Sequence, residues 1–181
     1  MKTEIRLAGF GGQGIALAGY ILGKAASLHA NLHAVMTQNY GPESRGGASL
    51  ADVVISDREI GYPAVTRPDI LVVMSQEAYR TYGRDLAPTA ILLADSDLVQ
   101  VEPDRVGDLH RVPFARTAEE IGKKIVANIV MLGGLVAITN IISREAVLEA
   151  VLSTVPARFR DLNAKAYEKG CLVGSASVAG K

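Results

Sequence analysis

Ile5-Arg6-Leu7-Ala8-Gly9-Phe10-Gly11-Gly12-Gln13-Gly14-Ile15 is the stretch whose reading decides the fold. A short apolar run, a glycine-dense segment, and then Ile15 to Leu28, rich in Ala, Leu and Ile, read as strand, tight turn and helix. Gly9, Gly11 and Gly14 satisfy G-x-G-x-x-G directly after a strand and before a helix, the context in which that pattern carries chemistry. The first glycine permits the turn, the second lets a diphosphate approach the backbone, and the third lets helix and strand pack closely. The helix N–H groups then face an anion. The alternative is that the glycines only shape a tight strand-to-helix connection.

Outward from this unit the strand and helix patterns alternate. Ala34-Val35-Met36-Thr37-Gln38 fits a second strand, and Asn39 to Gly47 a loop dense in Gly, Pro and polar residues. Ser49 to Ser56, Asp69 to Met74 and Ala90 to Ala94 read as further strands. The run at Asp69 is apolar throughout, as in a parallel strand buried on both faces. Arg111-Val112-Pro113 closes the series as a short edge strand. Gln76 to Tyr82 reads as a short helix. Thr117-Ala118-Glu119-Glu120 resembles a capping box opening a helix that runs through Ile125 to Ile142, and Ser143 to Ala146 resembles a second, for a helix to about Leu152. A last helix follows Pro156, from about Ala157 to Lys169. The expected fold is a three-layer α/β domain built on a mostly parallel, doubly wound, Rossmann-like sheet, spanning residues 1–172, with 173–181 as a flexible C-terminal tail.

The helix through Ile125 to Ile142 is apolar around most of its circumference, so it is expected to face a partner subunit as well as the sheet. Gly133-Gly134 points to another backbone packing closely there. The alternative is that the chain's own last two helices cover it.

Composition excludes several classes of function. The 181 residues suit one domain, and 19 basic against 19 acidic side chains leave no net field for nucleic acid or anionic lipid. The apolar run 125–142 is broken by Asn128, Thr139 and Asn140, which argues for a buried helix and against a membrane span. Met1 to Arg6 lacks the pattern of a secretory signal, so the expected location is cytoplasmic. Cys171 stands alone, and an iron–sulfur cluster takes about four thiolates. His29, His33 and His110 have no metal-site spacing, so neither a catalytic constellation nor a metal site is expected.

Dinucleotide binding asks for an acid at the end of the second strand to take the ribose hydroxyls. Gln38 occupies that place, which weakens a nicotinamide-cofactor reading. In the following loop Gly41, Gly46 and Gly47 allow the backbone near a ligand, and Arg45 suits a phosphate or carboxylate. That loop is equally readable as a solvated connection with Arg45 bonded to Glu43. Ser75 and Gln76, at a strand's C-terminal end, are candidates for the edge of a site. Asp95 and Asp97 read better as turn caps, and Cys171 as an inert thiol.

Gly9-Phe10-Gly11-Gly12-Gln13-Gly14 taken together with Gln38-Asn39-Tyr40-Gly41-Pro42-Glu43-Ser44-Arg45-Gly46-Gly47 resembles the gamma subunit of 2-oxoacid:ferredoxin oxidoreductases. The strand Ala51 to Ser56 and the Arg67-Pro68-Asp69 lead into the next strand follow in the family's order, and the likeness runs from about Ile5 to Leu162. It implies an accessory, non-catalytic subunit of a complex. The alpha and beta subunits, with delta as a further candidate, would bind thiamine diphosphate, Mg²⁺ and iron–sulfur clusters, decarboxylate a 2-oxoacid, reduce ferredoxin and form an acyl-CoA. A short chain with YGPE-x-RGG looks most like the 2-oxoglutarate branch; pyruvate, branched-chain 2-oxoacids and indolepyruvate stay open. The expected ligand of this chain is coenzyme A, held by Gly9, Phe10, Gly11, Gly12, Gln13 and Gly14 together with Gln38, Tyr40, Gly41, Arg45, Gly46 and Gly47. The competing readings are a stand-alone NAD(P)-dependent oxidoreductase and a purely architectural subunit.

Overall fold

The computed structural model describes residues 1–40, 48–83, 86–103 and 107–180. Among them, the strands β1 (Lys2–Phe10), β2 (His33–Tyr40), β3 (Ala48–Ser56), β4 (Ile70–Val73), β5 (Ile91–Asp95) and β6 (Asp108–Val112) form one sheet in the order β2-β3-β1-β4-β5-β6. The pairs β1–β4, β4–β5 and β5–β6 are parallel, whereas β3 runs antiparallel to both β1 and β2. The sheet is therefore mostly parallel, with one reversed strand inserted beside β1.

Alternation along the strands sorts side chains to two faces. Ile5, Leu7, Val53, Ile55, Val72 and Leu93 point to a large core. That core is covered by α1 (Ile15–Lys24), α3 (Phe114–Ile121), α4 (Ala127–Thr139), α5 (Arg144–Leu152) and α6 (Arg160–Ala179). Ala8, Leu71, Val73, Leu92 and Ala94 point the other way, to a smaller core with α2 (Gln76–Tyr82). The three layers are present but unequal. Every residue of β4 is buried, as its unbroken apolar run requires. On the smaller face Arg6 makes a two-pronged ion pair with Asp52, at 2.8 Å for each contact, and donates to the Val65 carbonyl, tying β1 and β3 to the connection that leads into β4.

Several expectations are corrected. The apparent capping box at Thr117 lies inside α3, which opens after Pro113 and ends where Gly122 turns into the left-handed region, at φ 96°. A 3₁₀ turn, Lys124–Val126, separates it from α4, so the expected single helix through 125–142 is two. Ser143 caps α5 by accepting from the Ala146 N–H, but the methyl of Ala146 cannot return the bond, and the motif is a cap without its reciprocal arm. The expected tail from 173 is helical through Ala179, because Gly174 is buried against α4.

The most consequential correction concerns α4. Residues 128–137 are buried in this chain alone. Its outer face meets α6, where Gly133 and Gly134 face Gly170 and Gly174. The close backbone foretold by the glycine pair belongs to the chain's own last helix and not to a partner subunit. Among the described residues no helix is long and apolar enough to cross a membrane.

Candidate functional site

In a doubly wound sheet, ligands gather outside the strand ends where successive helices leave to opposite faces. Here α1 follows β1 onto the large-core face and α2 follows β4 onto the other, so that crevice lies between the carboxyl ends of β1 and β4. The glycine turn is at its mouth.

Gly9 and Phe10 finish β1, residues 11–13 form the turn, and Gly14 is the N-cap of α1 in the left-handed conformation, φ 73°. Gly12 also has positive φ, 96°, and a Cβ there would meet no atom of the described residues within 4 Å. Gly9 serves differently from its expected role. Its φ is ordinary, and its missing side chain makes room for the Gln13 amide, whose Oε1 would lie 2.5 Å from a Cβ. Gly14 packs on Asn128, whose Nδ2 donates to the Gly14 carbonyl at 3.2 Å. Asn128 is 3% exposed, although in the sequence it stands out only as a polar break in an apolar run. Its signal was an amide-bearing residue at the start of an otherwise apolar helix.

Among the described residues no side chain caps the N-terminus of α1, and its first turn carries no acid. The first backbone N–H groups of a helix lack intrahelical acceptors and carry partial positive charge, so this end is open to an external anion. A cleft of about 430 Å³ opens beside it, lined by Gly12, Gln13, Leu98, Ala115, Glu119, Lys124, Ile125 and Ala127. Ile125, expected inside a helix, is instead 81% exposed on this rim.

The second strand lies farther off than a Rossmann comparison implies. β3 stands between β2 and β1, so Gln38 faces Ala51 across the ladder, and Ala51 in turn faces Leu7. The place where a dinucleotide fold keeps its ribose-binding acid is not beside the glycine turn in this topology. Tyr40 ends β2 opposite Ser49, and Ala48 begins β3 opposite Phe10. Both stems of the following loop thus stand at the same sheet end as the turn, Ala48 one strand spacing of about 5 Å from β1 and Tyr40 about two spacings away. Gly41, Arg45, Gly46 and Gly47 themselves lie outside the described residues.

The remaining candidates have structural duties. Ser75 caps α2 by accepting from Ala78 N–H, and Gln76 exchanges two bonds with the backbone of Gln100. Gln76 also lines a second, polar cleft of about 590 Å³ with Arg80, Asp97 and Glu102. Asp95 is fully buried and accepts from the N–H groups of Asp97, Leu98 and Ala115, capping its own turn and the start of α3. Burial pushes its carboxyl pKa up, and the three donors oppose that shift. The Cys171 thiol is buried and raised by the same desolvation. Among the described residues no His, Cys, Asp and Glu cluster could hold a metal ion.

Known proteins align with this arrangement along nearly the whole chain. The family described as pyruvate ferredoxin/flavodoxin oxidoreductase matches residues 4–173. A 2-oxoglutarate synthase subunit KorC of Methanocaldococcus jannaschii is 52% identical over 173 residues, 94% of this chain and 92% of that one. The crystal structure of a keto/oxoacid ferredoxin oxidoreductase gamma subunit from Geobacter sulfurreducens superposes with a TM-score of 0.87 at 42% identity, covering 98% of both chains. A 2-oxoglutarate:ferredoxin oxidoreductase from Magnetococcus marinus, solved with 2-oxoglutarate, coenzyme A and succinyl-CoA bound, superposes at 0.86 with 25% identity. It covers 97% of this chain, which spans 31% of that longer one.

Proposed function

The chain belongs to the pyruvate ferredoxin/flavodoxin oxidoreductase family, and from that premise we propose that it is the accessory gamma subunit of a 2-oxoglutarate:ferredoxin oxidoreductase whose own task is to hold coenzyme A. The observation that carries the reading is the uncapped N-terminus of α1 behind an unobstructed Gly12. Backbone N–H groups there suit the diphosphate of CoA. The neighbouring cleft, with Leu98, Ala115, Ile125 and Ala127 on its walls, suits the less polar part of the same molecule. The loop carrying Gly41, Arg45, Gly46 and Gly47, rooted beside Phe10, would supply a cation for a phosphate.

Thiamine diphosphate, Mg²⁺ and iron–sulfur clusters belong in this reading to partner subunits, alpha, beta and a candidate delta, which decarboxylate the 2-oxoacid and pass electrons to ferredoxin. This chain's residues bind and orient the acyl acceptor. The displaced β2 and the amide at Gln38 speak against a stand-alone nicotinamide enzyme. The complex is placed in the cytoplasm, in keeping with its soluble electron acceptor.

Arg45→Ala in the assembled complex tests the reading. A charge-assisted phosphate contact is worth about 1.5 to 3 kcal/mol, so KM for CoA should rise about tenfold or more. An unchanged KM for CoA would exclude contact by this side chain.

A further inference from the structure

Gln13 is the one side chain of the glycine turn that crosses the crevice. Its backbone N–H donates to the Phe10 carbonyl at 3.1 Å, while its Oε1 accepts from the Phe10 N–H at 2.6 Å, so the turn is clamped at both polar groups of Phe10. Its Nε2 then donates to the Met74 carbonyl at 2.8 Å, just beyond β4. Met74 N–H in turn donates to the Ala8 carbonyl at 2.9 Å. The circuit Ala8–Met74–Gln13–Phe10 therefore joins the ends of β1 and β4 at the point where the two helices diverge.

We propose that Gln13 is a positioning residue for the anionic ligand of the glycine turn: it fixes the direction of the turn's N–H groups and covers the Met74 carbonyl, without itself contacting phosphate. This rests on the reading of the turn as the CoA site. Two physical points support it. A carbonyl oxygen at the crevice mouth repels an anion unless a donor occupies it, and Gln13 is that donor. Both polar atoms of the carboxamide already have backbone partners, and Gly9 lacks the Cβ that would displace the amide. A glutamate of the same shape could still accept from Phe10, but it would set a carboxylate oxygen against the Met74 carbonyl and break the circuit there.

The experiment uses the assembled complex with wild type, Gln13→Met and Gln13→Glu, measuring hydrogen exchange over residues 9–17 with and without CoA, and steady-state kinetics in CoA and in 2-oxoglutarate. In the wild type CoA should slow exchange over 11–17. Both variants should speed exchange there in the absence of CoA, and raise KM for CoA about tenfold while kcat and KM for 2-oxoglutarate stay within about twofold. If CoA protects the wild-type turn but the variants leave its exchange or the KM for CoA unchanged, the positioning role is wrong and the CoA reading survives. Faster exchange across the whole chain in both variants would make Gln13 a general stability residue and overturn the proposal. If CoA leaves wild-type exchange over 11–17 unchanged, the CoA reading is at fault and the proposal falls with it.

Discussion

Gly174 of α6 lies against Gly134 of α4 with no side chain between them: a Cβ on Gly174 would stand 2.7 Å from the Gly134 Cα. The same seam brings Gly133 to the backbone of Cys171, 2.8 Å from its added Cβ. Two helices that touch backbone to backbone bury α4 on the side that faces α6. Overpacking such a contact costs about 3 kcal/mol, so Gly174→Val should lower Tm by about 6 to 12 °C in thermal denaturation. A shift within about 2 °C would show that the seam opens without cost. Hydrogen exchange of residues 129–137 should already be slow in the isolated chain and gain nothing on assembly.

The two left-handed glycines of the turn should respond unequally to alanine. At Gly12 the added methyl meets no atom of the described residues, leaving backbone strain of about 1 kcal/mol. At Gly14 the same strain is joined by a clash with the buried amide of Asn128, 2.5 Å from the new Cβ. Urea denaturation should rank Gly14→Ala as the more costly by about 1 to 3 kcal/mol. Combining it with Asn128→Ala should recover part of that difference in a double-mutant cycle; strict additivity would mean that the two residues do not press on each other.

Asp95 predicts a pH dependence. Its folded pKa is raised above the ordinary 3.8 by burial, so between 3.8 and the folded value the native state binds more protons than the unfolded chain. The contribution of this group to stability therefore falls as pH rises through that window and is level above it. Asp95→Asn removes this titration but turns a donor toward the Ala115 N–H, losing a cap worth about 1 kcal/mol. Stability curves from denaturant unfolding above pH 4 should differ between wild type and variant by an amount that changes with pH; a constant offset would refute the assignment.

Purified alone, the chain should neither oxidise 2-oxoglutarate nor reduce ferredoxin when thiamine diphosphate and CoA are supplied. It has a single cysteine, Cys171, which is buried, and the sequence offers no catalytic constellation of its own. Turnover by the isolated polypeptide, assayed by ferredoxin reduction, would contradict the accessory role.

Local spacing made much of this molecule legible. The Gly9–Gly14 turn stands between β1 and α1 as its pattern requires, and α2 has the residues read for it, Gln76 to Tyr82. Where short-range patterns misled, a stronger local signal was nearby. Thr117 and Glu120 mimic a cap, but Pro113 had already opened that helix and Gly122 closes it. Ile125 counted as one more apolar position of a long helix, although the break after Gly122 turns it outward to the rim of the cleft.

By itself the sequence determined the fold class, the family resemblance and the address of the turn, because each is built from motifs whose own residues lie within a few positions of one another. Tertiary structure alone decided that a reversed β3 separates β2 from β1, that α6 covers α4, and that Gln13 holds the turn to Met74 while Asn128 holds it at Gly14. The contacts of Gln13 with Met74 and of Asn128 with Gly14 span 61 and 114 residues of chain. Helix and strand periodicities repeat over a few residues and carry no record of which distant segment closes such a contact. That choice is made only when the whole chain competes to bury its apolar faces and to pair its backbone polar groups.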